Sequence, residues 1–245
     1  MGAEKGMGLR QRSRRKSAGI VIPVDGPAGS GKSTAAKGIA ERLGFDYLES
    51  GALYRAVGFR VLKKNREGDF ESRAVDSARD LRFECRKEGD DWKNVLDGED
   101  VTGALRDEAI SDMASRVSAI SGVRAALLDF QRNFGRERGA VIDGRDIGTV
   151  IFPEARLKFF LDADIEVRIQ RRFAELQTKG VSFHPDRLRE DLKRRDERDR
   201  HRASAPLRKA EDAVEIDTGG MGVDRVIEVM VENIRSVYGE VIEDA

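Results

Sequence analysis

The pattern of apolar and polar positions predicts parallel strands that alternate with amphipathic helices. Short runs of continuous apolar residues indicate strands buried on both faces, because helices cover both sides of such a sheet. Segments with apolar residues at helical spacing separate the runs, which favours an α/β sheet with right-handed crossovers. The predicted strands are residues 20–24, 45–48, 140–142, 157–161 and 213–216. The predicted helices are residues 34–43, 50–64, 123–134, 165–177, 186–202 and 224–237.

One stretch follows a period of two instead of the helical period. Residues 81–85 and 92–96 alternate apolar and polar side chains, and a turn signal, Gly89 to Asp91, lies between them. Asp97 and Gly98 give a second turn signal directly afterwards. The pattern predicts a small antiparallel hairpin, with a third strand after the second turn, inside an insert at residues 65–109.

Pro23 conflicts with a central position for the first predicted strand. Proline cannot donate a hydrogen bond to a neighbouring strand, so it is rare in the interior of a sheet. We therefore expect a bulge or a locally unpaired edge at this residue.

Composition narrows the class of protein. The 245 residues suit one domain with an insert, and 45 basic residues balance 45 acidic ones, so net charge does not indicate nucleic-acid binding. A single cysteine, Cys85, excludes an intramolecular disulfide and favours a reducing compartment, from which we expect a cytoplasmic protein. With only two histidines, a zinc site of Cys and His is not expected. No run reaches the roughly 18 apolar residues that a membrane span requires.

Residues 1–19 are strongly basic. They contain six lysines and arginines against the single acid Glu4. We expect a solvated, disordered arm, with weak contact to nucleic acid and an organelle transit peptide as the two alternatives.

The sequence GPAGSGKST at residues 26–34 follows the first predicted strand and precedes the first predicted helix. It matches the phosphate-binding pattern G-x-x-x-x-G-K-[ST], in which glycines let backbone N–H groups approach phosphates and the helix N-terminus attracts anions. Lys32 is expected to reach the β- and γ-phosphates, and Ser33 to bind Mg²⁺. A plain glycine turn would explain the glycines but not the Lys-Ser pair. The residues predicted to bind ATP are Gly26, Pro27, Ala28, Gly29, Ser30, Gly31, Lys32, Ser33 and Thr34.

Four other segments place charged side chains near the expected phosphates. Asp143 follows the strand at residues 140–142, at the sheet edge where ligands bind, and is expected to hold Mg²⁺ through water. Arg195, Asp199 and Arg202 share one helix face, where two guanidiniums can clamp a phosphate. The remaining two segments are residues 50–55, which start a helix at Ser50, and the arginines at residues 168–172, which precede a short segment able to close over a triphosphate.

Each segment also has an ordinary structural explanation: a capped helix, an Asp-Gly turn, a solvated ion-paired face or a charged amphipathic helix. Phosphoryl transfer needs alignment and positive charge more than proton abstraction, and an acceptor phosphate is already anionic. The abundance of arginine and the lack of a visible serine–histidine pair both agree with that chemistry.

Taken in this order, the segments resemble the bacterial-type cytidylate kinases, which belong to the nucleoside monophosphate kinase group of P-loop kinases. The most specific matches are DGRDIGT at residues 143–149 and the arginine-rich run at residues 195–202. The resemblance extends from residue 20 to the C-terminus and leaves only the basic arm outside.

The resemblance implies a fold and a reaction. The fold is α/β: a P-loop kinase with a five-stranded parallel sheet flanked by helices, a small inserted monophosphate-binding subdomain with antiparallel strands, and a lid at residues 168–183. The reaction is Mg²⁺-dependent transfer of the γ-phosphoryl group of ATP to CMP or dCMP. We expect a monomer without nucleic-acid or membrane partners.

The resemblance also implies roles for individual residues. Ser115, Arg124 and Asp146 would contact cytosine, and Arg195 and Asp199 would lie at the sugar. Arg55, Arg145 and Arg202 would bind the acceptor phosphate, while Arg168, Arg171 and Arg172 of the lid would cover ATP. The full substrate-binding set is Ser50, Tyr54, Arg55, Ser115, Arg124, Asp143, Arg145, Asp146, Arg195, Asp199 and Arg202, and the catalytic set is Lys32, Arg145, Arg195 and Arg202.

Two other functions remain open on the sequence. A P-loop kinase for a different nucleotide is one, because only the resemblance brings Ser115, Arg124 and Asp146 together on a base. A nucleic-acid-associated ATPase or regulatory module that uses the basic arm is the other, although the rest of the chain carries no basic patch interleaved with aromatic residues. A GTPase is disfavoured because the chain contains no Asn-Lys-x-Asp segment.

Overall fold

A parallel five-stranded sheet forms the centre of the molecule. The computed structural model describes residues 19–63, 68–89, 91–134, 136, 139–178, 180 and 183–242. The strands of this sheet are β1 (Val21–Asp25), β2 (Asp46–Glu49), β6 (Ala140–Gly144), β7 (Phe159–Asp162) and β8 (Val214–Asp217). The sheet has the order β2-β6-β1-β7-β8, and all of its neighbouring strands are parallel. This confirms the predicted five-stranded sheet, with strand ends shifted by one or two residues.

Helices cover both faces of this sheet. Successive strand residues point to opposite faces, so Val21 packs in one apolar cluster and Ile22 in the other. The helices are α1 (Lys32–Leu43), α2 (Ser50–Lys63), α3 (Phe70–Arg79), α4 (Glu108–Val117), α5 (Ser121–Phe134), α6 (Ile165–Thr178), α7 (Pro185–His201) and α8 (Val223–Ile242). The second cluster lies under α1 and α8, whereas the first lies under α2, α4 and α5.

Pro23 occupies the middle of β1 without a bulge. It is in register with Ile142 of β6, and that pairing runs unbroken from Val21 to Asp25. Because Ala140 donates its N–H to the carbonyl of Ile20, alternate residues of β1 face β6 and Pro23 faces the β7 side. Pairing with β7 begins only at Val24. Of the two expected outcomes, the locally unpaired edge is therefore confirmed, and the bulge is not found.

A second, antiparallel sheet contains β3 (Phe83–Glu88), β4 (Asp91–Leu96) and β5 (Glu99–Asp100). It confirms the predicted hairpin and its third strand. The turn before β5 uses left-handed backbone at Asp97 and Gly98, with φ of 54° and 90°. The buried Arg60 of α2 pairs with the Asp97 carboxylate and donates to the carbonyl oxygen of Ser77, so this turn is tied to two helices.

Two helices near this sheet, α3 and α4, were not predicted. Each is ten residues long, and its apolar side chains recur at helical spacing, as Ile110, Ala114 and Val117 do in α4. Asp69 and Asp107 cap them by accepting the backbone N–H groups of Ser72 and Ala109, both at 2.8 Å. The apolar spacing and the capping aspartates were both available in the sequence and were overlooked. The domain boundaries stay predictions. Most of the basic arm and parts of the predicted insert and lid lie outside the described residues, namely residues 1–18, 64–67, 179 and 181–182.

Within the described residues, no helix combines the length and apolar character that crossing a bilayer would demand. Cys85 is a free cysteine on β3.

Candidate active site

The loop between β1 and α1 has the geometry of a phosphate cradle. Gly31 precedes α1 with φ of 83°, and no side chain caps the first N–H groups of that helix. Those N–H groups are available to an anion. A side chain at Gly26 would place its Cβ 2.0 Å from the carbonyl oxygen of Leu161, so only glycine fits there. The loop therefore starts against β7 and ends at a helix N-terminus.

Lys32, the first residue of α1, is buried, and its ammonium group is hydrogen-bonded to the backbone of its own loop. Its Nζ donates to the carbonyl oxygen of Pro27 at 3.0 Å, which folds the side chain back over the loop. Burial, and then the nearby Arg145 guanidinium, lower the pKa of Lys32 to about 7. A phosphate bound in the loop would be an anionic partner for the Lys32 ammonium group.

Ser33 and Asp143 meet at the carboxyl end of the sheet. The Ser33 hydroxyl donates to Asp143 Oδ2 at 2.6 Å, and the Tyr47 hydroxyl donates to Asp143 Oδ1 at 2.8 Å. Burial, and then the charge of Glu49 on the adjacent strand, raise the pKa of Asp143. A hydroxyl and a carboxylate beside a phosphate loop are oxygen donors of the kind that Mg²⁺ binds, so these residues fit the metal.

Arg145 and Asp146 follow β6 and pair with side chains from two helices. Arg145 Nε lies 2.8 Å from Asp199 Oδ2 on α7, and the guanidinium also donates to the carbonyl oxygen of Gly144. Asp146 pairs with Arg124 of α5 through one oxygen and with Arg202 through the other, the latter at 3.1 Å. Although burial opposes it, Arg145 keeps the pKa of Asp199 below its usual value. The predicted base, sugar and phosphate residues are thus brought together.

Several polar side chains at this site have unused hydrogen-bonding atoms. Within the described part of the chain, Arg195 Nε, Arg55 Nε, Ser115 Oγ and, in the phosphate loop, Ser30 Oγ are buried without a partner. Burial, and then the charge of Arg145, lower the pKa of Arg195 to about 10. Unpaired buried polar atoms cost free energy, and a ligand with anionic and hydrogen-bonding groups would satisfy them.

One cleft of about 1490 Å³ joins these groups. Its size suits two nucleotides, since ordinary ligand pockets measure roughly 300–1,000 Å³. The predicted residues that line it are Ala28, Gly29, Gly31, Lys32, Ser33, Thr34, Ser50, Tyr54, Arg55, Ser115, Asp143, Arg145, Asp146, Arg171, Arg172, Arg195, Asp199 and Arg202.

The other predicted residues lie behind the cleft lining. Arg124 backs Asp146, and Gly26, Pro27 and Ser30 form the far side of the phosphate loop. Arg168 was expected to cover ATP, but its side chain contacts the protein instead of lining the cleft. Its guanidinium donates to the carbonyl oxygen of Ala28 at 3.0 Å and pairs with Asp196 at 2.6 Å, so it supports the loop from behind. The sequence could not reveal this, because spacing alone does not show which side of the loop α6 would face.

The remaining two lid arginines line the cleft but already have partners. Arg171 donates to Oγ1 and the carbonyl oxygen of Thr218, at 2.9 and 2.6 Å. Arg172 pairs with Glu175 and reaches across to Glu108 of α4 at 2.6 Å. The Arg172–Glu108 pair connects the lid side of the cleft to the acceptor side.

Sequence reasoning missed Glu49 and Asp25. Glu49 ends β2, in register with Asp143, and pairs with Arg55. Although burial opposes it, the Arg55 guanidinium lowers the pKa of Glu49 to about 2. The signal for Glu49 was its position at the end of a predicted strand, where Asp143 was already noticed. Asp25 gave the same signal, because it directly follows the predicted strand at residues 20–24, but the sequence does not show which groups its side chain contacts.

A parallel sheet with a phosphate loop after its central strand, and with partly buried arginines in the cleft beside that loop, defines a P-loop phosphotransferase. Comparison with known proteins narrows the class. The family model for cytidylate kinase matches residues 22–236, so the chain belongs to the cytidylate kinase family, a group of nucleoside monophosphate kinases.

Similar curated proteins support this assignment. The chain is 42% identical over 221 residues to the cytidylate kinase of Aeromonas hydrophila, an alignment that covers 90% of this chain and 96% of that protein. It is 45% identical over 216 residues to the cytidylate kinase of Vibrio cholerae, covering 88% and 96%. It is also 45% identical over 210 residues to the cytidylate kinase of Pasteurella multocida, covering 85% and 92%.

Proposed function

We propose that this chain transfers the γ-phosphoryl group of ATP to CMP and dCMP. The observation that carries the proposal is a single cleft that holds a phosphate loop together with a set of partly buried arginines. Arg145 and Arg202 are held by carboxylates, Lys32 donates to a backbone carbonyl of the loop, and Arg195 Nε has no partner. Such a cleft binds two phosphate groups and concentrates positive charge between them.

The acceptor base fits the pocket around Asp146. Cytosine has an exocyclic amine that donates and a carbonyl that accepts. The Asp146 carboxylate accepts from such an amine while Arg124 holds that carboxylate from behind, and the unused Ser115 hydroxyl in the cleft lining serves the ring acceptors. Asp199, a buried carboxylate kept ionised by Arg145, accepts from sugar hydroxyls.

The reaction needs no general base from the protein. The acceptor phosphate is already anionic at neutral pH, so alignment and charge neutralisation supply the catalysis. In this proposal Lys32 stabilises the transferring phosphoryl group. Arg55, Arg145 and Arg202 hold the acceptor phosphate, and Arg195 extends towards that phosphate from the sugar. Closure of the lid excludes water and limits hydrolysis.

Ser33 and Asp143 would hold Mg²⁺, the former through its hydroxyl and the latter through water. When bound there, Mg²⁺ would supply positive charge to the phosphates of ATP. In the free protein the Ser33 hydroxyl donates to Asp143, which keeps both oxygens at one point of the cleft.

We expect Ser33→Ala to raise the Mg²⁺ concentration that gives half-maximal activity by about tenfold, because one oxygen donor is lost. A titration of activity against free Mg²⁺ at saturating ATP measures this. Ser33→Thr keeps the hydroxyl and is the matched control. Equal Mg²⁺ dependence in the alanine variant and the wild type would show that Ser33 does not hold the metal.

The proposed acceptor is tested by ADP release in a coupled assay with ATP, Mg²⁺ and, separately, CMP, dCMP, UMP, AMP and GMP. We expect high activity with CMP and dCMP. A preference for AMP or GMP would instead identify a kinase for another nucleotide. ATP hydrolysis that needs no acceptor, together with binding of nucleic acid through residues 1–19, would favour the module that uses the basic arm. The cytoplasmic location and monomeric state stay predictions.

A further inference from the structure

Asp25 is a buried carboxylate that none of the proposed catalytic steps uses. It ends β1, directly before the phosphate loop, and its side chain is only 4% exposed. Its two oxygens accept backbone N–H groups from a segment more than 120 residues away: Oδ1 from Ile147 at 2.9 Å and Oδ2 from Gly148 at 2.7 Å. Both oxygens are therefore committed to one short turn.

That turn begins directly after Asp146. Residues Ile147–Ile151 form a single wide helical turn, and Asp146 precedes it without capping it with its own side chain. The first N–H groups of a helical turn have no partner within the turn. Asp25 supplies the missing acceptors from the neighbouring strand, so it fixes the backbone at the point where the Asp146 side chain leaves it.

The turn has little room to find another position. A Cβ at Gly148 would lie 3.1 Å from Lys158 Cδ and 3.4 Å from Asp25 Oδ2. Asp146 in turn uses both of its oxygens, one on Arg124 and the other on Arg202 at 3.1 Å. A shift of the Ile147 backbone would therefore move a carboxylate that orients two arginines.

We propose that Asp25 is a positioning residue for the acceptor site, which it serves by holding the turn that places Asp146. The inference rests on the proposed function, because it gives Asp146 a role in acceptor binding. Asp25 also stands one residue before Gly26, so the same residue joins the start of the phosphate loop to the acceptor side of the cleft. It touches no substrate in this proposal.

Asp25→Asn tests the proposal with little change of volume. The amide oxygen can accept one N–H, but the amide nitrogen would place a donor against the second N–H. We expect the Kd of CMP, measured by titration calorimetry on the full chain, to rise about tenfold. We expect the Kd of ATP to change by less than about twofold, because the phosphate loop retains its own contacts.

Asp69→Asn is the matched control. Asp69 also accepts a backbone N–H at the start of a helix, from Ser72 at 2.8 Å, but on the exposed helix α3. It should leave both dissociation constants unchanged. In an Asp146→Asn background, the Asp25→Asn change should add less than about twofold to the KM of CMP, because residues that act through one another are not additive.

An unchanged Kd of CMP in folded Asp25→Asn would overturn the proposal, and so would equal weakening of CMP and ATP or independent effects of the two substitutions. If Asp25→Asn does not fold, Gly148→Ala disturbs the same turn and the same comparison decides. Failure of the proposed function is distinguishable, since the wild type would then bind another acceptor nucleotide more tightly than CMP. The comparison would be repeated with that nucleotide.

Discussion

Lys32→Met is expected to lower the rate of phosphoryl transfer by a factor on the order of a thousand, because it removes a positive charge from the site of the transferring group. Methionine keeps most of the length and volume of the lysine side chain. The loss should therefore appear in the turnover rate at saturating substrates, measured by rapid-quench kinetics, and not as a loss of folded protein.

The same substitution should not destabilise the free protein. Burial, and then Arg145, lower the pKa of Lys32 to about 7, against 10.5 for an ordinary lysine. Between these two values the unfolded chain binds the proton more readily than the folded chain, so this lysine disfavours folding and its penalty shrinks as pH rises. At pH 7 we expect the melting temperature of Lys32→Met to be at least that of the wild type.

Lys193→Met is the control for this pair of measurements, because Lys193 is exposed on α7. It should change neither rate nor melting temperature. A Lys32→Met enzyme with a turnover rate within tenfold of the wild type would contradict the assigned role. A melting temperature of Lys32→Met clearly below that of the wild type would contradict the view that the buried ammonium group destabilises the folded protein when no phosphate is bound.

Arg202→Ala is expected to raise the KM of CMP by about a hundredfold, because charge-assisted hydrogen bonds in a buried site are lost. The Arg202 side chain is only 4% exposed; it lies 3.1 Å from Asp146 and donates through Nε to the carbonyl oxygen of Ala205 at 2.6 Å. Its loss removes one of the two cations that hold Asp146. The KM of ATP should change much less, which steady-state kinetics with each substrate varied in turn will show.

The neighbouring Arg200 provides a matched control. Arg200 lies in the last turn of α7, two residues before Arg202, but its side chain is 47% exposed and its pair with Asp162 is 3.9 Å long. Arg200→Ala should therefore leave both KM values within about twofold of the wild type. Equal effects of the two substitutions on the KM of CMP would show that Arg202 does not bind the acceptor.

The sheet was predictable from the sequence because its strands are apolar on both faces. Each of the five strands was found within two residues, and the loop after β1 follows a specific pattern. The helices α3 and α4 were not found, although the apolar side chains of each recur at helical spacing, so this signal was overlooked and not absent. Their capping aspartates are weak signals alone.

The site was predictable where a local pattern specifies chemistry, as for Lys32 and Ser33. It was not predictable for residues whose role depends on contacts with segments distant along the chain. Arg168 belongs to a lid motif by sequence, yet its guanidinium supports Ala28 from behind the loop. Asp25 acts on a turn that is distant along the chain, so only the register of β1 with β6 brings the two together.

The central claim is transfer of phosphate between nucleotides, and the fate of labelled phosphate tests it most directly. The full chain would be incubated with ATP labelled at the γ-phosphate, Mg²⁺ and CMP, and the products separated by thin-layer chromatography. We predict that the label appears in CDP, with little inorganic phosphate, and that omission of CMP stops consumption of ATP. Label found mainly in inorganic phosphate, at the same rate with and without CMP, would contradict the account.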